Sequence, residues 1–234
     1  MNNNIIQLKI MQRLNKLASQ DYDNLECWQM VESFNKAQVM WCRRQLHGTN
    51  VKQEGDEQSK IRIDDLQILL KDKSVKFSHF DVYDRTSKLP EDYLEWKRIS
   101  CKAKDECCDN LMPMVVYLTE EANVDILLRD KNKKPDFNWG ETFCTLKDNY
   151  AHVYTNGEFS LQEGVLTYYR QPINIQVKDC VDPYTQETST VDVECEFKDD
   201  IIELIIDEAV KIIAGDIESM NQRQTASNEV EKNN

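Results

Sequence analysis

The stretch CKAKDECCD gathers Cys101, Cys107 and Cys108. Thiolates are ligands of structural zinc, and His79 or Cys144 is available to complete a tetrahedral set. Zinc knuckles use short paired spacings, however, and here a six-residue step precedes a vicinal pair. The ordinary alternative is reduced cysteines serving as small apolar side chains. Nucleophilic catalysis needs a histidine beside a cysteine, but His47, His79 and His152 lie far apart, none in a recognisable context. The acidic pairs Asp64–Asp65, Asp81 with Asp84, and Asp199–Asp200 can in principle hold a divalent ion. Asp199–Asp200 is better explained as negative charge at a helix N-terminus. The chain has 6 glycines, too scattered for a loop that cradles phosphate. The one local basic cluster is RDKNKKP, with Arg129, Lys131, Lys133 and Lys134. It is a candidate contact for DNA or an acidic partner, or simply a solvated loop. No aromatic residue interleaves with it, so a single-strand stacking platform is unsupported. No catalytic set emerges, and neither a cofactor nor a metal is expected.

The elements that position these residues follow from periodicity. Residues 5–17 repeat Ile5, Leu8, Met11 and Leu14 at helical spacing. A second helix is expected over Leu25–Leu46, capped by Asp23 or Asn24, with Cys27, Met30, Val31, Phe34, Ala37 and Trp41 on its apolar face. A third is expected over Asp56–Leu70. From Lys71 the pattern turns to short strand-like pieces: RISCKAK, MVVYLT, NWGETFCTLKD, YAHVYTN and GVLTYYRQPINI. EEANVDILLRD reads as a short helix that ends before Pro135. Asn156–Gly157 is a hairpin signal. The last element, EFKDDIIELIIDEAVKIIAGDIES, is oily nearly all round and must therefore be buried among other helices.

The predicted architecture is thus α+β. N-terminal helices (1–72) pack with a C-terminal helix (199–220), around a strand-rich insertion (73–198) resembling a β-sandwich or barrel. A disordered tail (221–234) follows. Trp28, Phe34, Trp41, Ile201, Ile205 and Ile212 are the expected core and assembly residues.

Composition narrows the function. At 234 residues, with 40% hydrophobic and 30% charged content, the chain can bury a real core. No run approaches the ~20 apolar residues of a membrane span. The start makes a poor signal peptide, so a cytosol-like compartment is expected, with the 8 cysteines as thiols. The net charge of −13 argues against nonspecific DNA binding. Its distribution is uneven: Met1–Gly48 carries +2, whereas thirteen acids against Lys198 and Lys211 give Asp179–Glu218 a charge of −11. Unlike patches of this kind can meet across a subunit interface, or simply face solvent.

Three ordered segments carry a resemblance. The first is QRLNKLASQDYDNLECWQMVESFNKAQVMWCRRQLHGTN with RIDDLQILL. The second is LPEDYLEWKRI with EEANVDILLRDKNKKPDF. The third is HVYTNGEFSLQEGVLTYYRQPINI, closed by the acidic terminal helix. Together they resemble head–tail connector (neck or adaptor) proteins of tailed bacteriophages, nearest to the ring proteins of crAss-like phages. The resemblance spans residues 5–218 and contains no catalytic motif. It implies a structural virion protein that is not an enzyme. Such proteins form a closed, dodecameric ring at the portal vertex, touching the portal protein and other neck or tail rings. Genomic DNA passes through the channel without specific binding, no membrane is involved, and assembly takes place in the host cytoplasm. The competing expectation is a cytosolic metal-binding or cysteine-dependent enzyme built on the Cys101, Cys107 and Cys108 loop.

Overall fold

A helix carrying Ile201, Ile202, Ile205, Ile206, Val210 and Ile213 has no polar face wide enough to meet water, and the fold buries it. In the computed structural model the chain is described at residues 1–17, 25–48, 60–105, 111–216, 227 and 230. It divides into two units, Met1–Ile68 with Pro172–Asn234, and Leu69–Gln171. The protein is mixed α+β.

In the first unit, α1 (Asn3–Leu17) and α2 (Cys27–Leu46) both pack on α5 (Asp199–Asp216). Ile6, Ile10 and Leu14 of α1 and Phe34, Ala37 and Trp41 of α2 are buried, and so are all six α5 residues named above. The Trp41 ring meets Phe197 edge-on, 5.5 Å between centroids. A short α3 (Lys60–Leu66) also belongs to this unit. The cap of α2 is Glu26, in a reciprocal capping box with Gln29, two residues beyond Asn24 and three beyond Asp23, the caps expected from sequence. The expected caps Asp23 and Asn24 lie outside the described residues. So do Cys107, Cys108 and all of the 221–234 tail except Ser227 and Val230; both of these are helical, and Val230 is buried.

The second unit is a closed seven-stranded barrel. Its strands are β1 (Leu70–His79), β2 (Tyr83–Thr86), β3 (Tyr93–Asp105), β4 (Leu111–Leu118), β5 (Glu141–Lys147), β6 (Tyr150–Tyr154) and β7 (Phe159–Arg170). They run β1-β2-β6-β5-β4-β3-β7, and β7 pairs back on β1. Every pairing is antiparallel except β4 with β5. That parallel pair needs a crossover, supplied by residues 119–140 with α4 (Val124–Arg129). Alternate residues fill the interior: Val75, Ile99, Cys101, Met114, Val116, Cys144, Val153, Leu161 and Leu166. Gly164 is paired with both Val75 and Cys101, and a Cβ there would come within 2.8 Å of the Phe77 ring. Only glycine fits.

Two local expectations are corrected. Asn156 and Gly157 do form a tight turn with both φ positive, but β6 and β7 do not pair. The turn instead lies against residues 81–82, where the Thr155 and Asn156 N–H groups donate to the Val82 carbonyl. The true tight hairpin is β5–β6, turned by Asp148 and Asn149, both left-handed. The segment Pro172–Lys198, expected within the strand-rich insert, belongs with the helical unit. It carries isolated bridges, Gln176 to Val193 and Val181 to Thr188, rather than a strand ladder.

Candidate assembly surfaces

The basic residues of α1 and α2 and the acids of α5 are close enough in the first unit to pair. Lys9 and Arg13 both bind Glu203, and Arg13 also binds Asp207. Arg44 meets the buried Glu208 at 3.0 Å. Lys198 pairs with Asp64. The unlike charges that the sequence made available for an interface are therefore satisfied within the chain at these positions. Exposed acids remain on Pro172–Lys198, a two-armed excursion pinned at its root. Asn35 holds it by accepting from the Ile175 N–H and donating to the Ile175 carbonyl, at 2.8 and 3.2 Å. Asn3 donates to the carbonyls of Gln176 and Val193.

One covalent tie adds to this. Cys27 and Cys180 form a disulfide across 153 residues, Cα to Cα 5.9 Å. The expectation of thiols throughout is therefore corrected at this pair, which composition cannot reveal because the chain's return to α2 creates it. Beside it, Trp28 packs edge-on against Tyr184. Trp28, Tyr184, Ile212 and Asp216 line a groove of about 250 Å³ with Glu32 and Lys36. Cross-linking this long loop restricts the unfolded chain. Cys180→Ser is expected to lower the unfolding free energy of the oxidised protein by about 2–5 kcal/mol. Denaturation with and without reductant checks it, since the difference should vanish on reduction.

Of the expected core residues, Phe34, Trp41, Ile201 and Ile205 are buried. Trp28 and Ile212 are half-buried and share the groove instead. The basic cluster is divided. Arg129, Lys131 and Lys133 are exposed, whereas Lys134 pairs with Glu158 at 2.9 Å. Sequence reading missed Trp139, on the neighbouring turn and 80% exposed. An isolated aromatic in a Gly- and Asn-flanked turn was the available signal.

The candidate chemical residues that the structure describes are dispersed. Cys101 and Cys144 point into the barrel, where burial pushes the Cys101 thiol up to about 12 and the Cys144 thiol up as well. Cys195, in the helical unit, is raised by burial to about 11. Such thiols are protonated near neutrality, unsuited to attack or ligation. His79 Nδ1 sits 2.9 Å from Asp84, whose other oxygen accepts from the Leu161 N–H at 2.7 Å. Asp84 is buried, so this carboxylate ties β2 to β7 across the barrel wall. Among the described residues, no three His, Cys, Asp or Glu side chains are placed to hold a metal ion. Nor is any described helix long and apolar enough to cross a membrane.

His152 stacks flat on Tyr83, 4.6 Å between centroids. Burial holds its imidazole below the ordinary range of 6.5; Glu121 opposes this, and Arg85 reinforces it. The folded barrel thus binds this proton more weakly than the unfolded chain does. Stability is expected to fall as pH drops below about 6.5 and to level off below the folded value. Melting temperatures from pH 7.5 to 5 should show a steeper loss in wild type than in His152→Gln.

Comparison with known proteins adds no relative. No family model and no curated protein matches the chain.

Proposed function

We propose that this chain is a structural component of a tailed-phage neck, forming a ring at the portal vertex that joins capsid to tail and extends the DNA channel. Support comes first from the ordered segments that resemble connector proteins. The observation that carries the reading is where the apolar and charged surface goes. Among the described residues, the free cysteines are turned inward and many charged groups are paired, while large apolar side chains stand outward on both units. Val115 and Tyr117 on β4 are 52% and 54% exposed, and Val181 and Tyr184 on the Pro172–Lys198 excursion are 51% and 78% exposed. Exposed apolar side chains bordered by charge suit protein contact. A closed barrel also leaves few unpaired strand edges, so association must run through side-chain faces rather than strand addition.

In a ring, each copy presents one face to a different face of the next. The acidic balance of the chain, −13 overall, suits a channel wall along which phosphate slides without sticking. The test mixes the purified chain with the portal protein and images the product by negative stain. Closed rings are expected. Monomers under all mixing conditions would sink the reading.

A further inference from the structure

Two surfaces have complementary chemistry. The first is the Pro172–Lys198 excursion. Between residues 173 and 194 it carries five exposed acids, among them Asp179, Asp182 and Glu187, against the single base Lys178. Exposed Val181, Tyr184 and Val191 stand among them. Its shape is already set by the Gln176–Val193 and Val181–Thr188 bridges and by the Cys27–Cys180 disulfide. Docking such a preformed segment loses less conformational freedom than ordering a slack loop.

The second surface is the outer face of the barrel around β3. Ser100 is paired with Val115 on one side and Val165 on the other, so these residues share one outward face. Arg98 and Lys102 alternate with Ser100 along β3 and are exposed with it. Val115, Tyr117 and Val165 are 52%, 54% and 40% exposed. Exposed Glu141 and Glu163 border the patch, whose centre is basic and apolar.

We propose that the acidic excursion of one copy of this chain docks on the Arg98–Lys102 face of the barrel of the next copy. Valine and tyrosine side chains meet at the centre, and carboxylates meet guanidinium and ammonium groups around them. This contact deepens the ring reading above and rests on it. It is head-to-tail, one patch on a different patch, as closure of a ring requires.

Two charge-reversed chains test it: a face variant, Arg98→Glu with Lys102→Glu, and an arm variant, Asp182→Lys with Glu187→Lys. All four positions are exposed, so folding is expected to survive, and circular dichroism verifies that. Sedimentation of full chains is the readout. Each variant alone should self-associate at least about tenfold more weakly than wild type. An equimolar mixture should recover association, because the acidic arm of the face variant finds the intact basic face of the arm variant. Added salt should weaken the wild-type contact. Variants that associate like wild type, a mixture no tighter than its components, or a wild-type chain that stays monomeric would each overturn the contact. Rings that form with portal yet ignore the reversals would refute this contact and leave the ring reading standing. Restored association in the mixture, from a chain absent from virions, would do the opposite.

Discussion

Ile205→Asp is expected to destabilise the helical unit by about 4 kcal/mol or more, enough to remove folded protein at 37 °C. Ile205 has no exposed surface, and its helix α5 packs against α1 and α2. A carboxylate there loses its hydration and gains no base, because Lys9, Arg13 and Arg44 are committed to Glu203, Asp207 and Glu208. Ile205→Val, which removes one methyl, should cost only ~0.5–1.5 kcal/mol. Urea titrations followed by circular dichroism separate the two. A variant Ile205→Asp that unfolds at the wild-type midpoint would show that this face is not sealed.

Arg44→Met should be the second most damaging change, at about 3–5 kcal/mol. Its guanidinium holds Glu208 Oε1 at 3.0 Å, and Glu208 is 1% exposed with Oε2 unpartnered among the described residues. Removing the cation leaves a buried carboxylate with no counter-charge. Most of the cost is that stranded charge rather than the worth of the pair. Arg44→Met with Glu208→Leu should therefore recover most of the loss. Thermal melts of both singles and the double close the cycle. A double variant as unstable as the first single would mean that the damage comes from packing.

Much of the fold was legible because apolar side chains recur at fixed spacing. The burial of α5 followed from isoleucines on nearly every side, and the strands β3, β4 and β7 followed from alternation. Pairing was harder to read. Asn156–Gly157 carries the strongest hairpin signature and does turn, yet β6 and β7 separate because closing the barrel pairs β6 with β2 and β5. The local turn fixes a change of direction, whereas non-local packing fixes the neighbour. By sequence order the segment 172–198 falls within the insertion, as a polar loop leading into VDVECEF. Its actual attachment depends on Asn3, Asn35 and Cys27, more than a hundred residues away, and no local pattern encodes that.

The surface residues divide along the same line. Arg129, Lys131 and Lys133 were visible as a cluster because they are adjacent in sequence. The Arg98–Lys102 face was not, since alternation hides two bases among the buried residues of β3, and Val115 and Val165 come from other strands. The −11 charge of the last segment was visible, but which acids pair internally depends on helix packing.

The central claim, that this chain is a ring-forming neck component, is tested most directly by quantitative mass spectrometry of purified particles. The account predicts this chain in full particles at a copy number equal to that of the portal protein. Particles that contain the portal and lack this chain would contradict it.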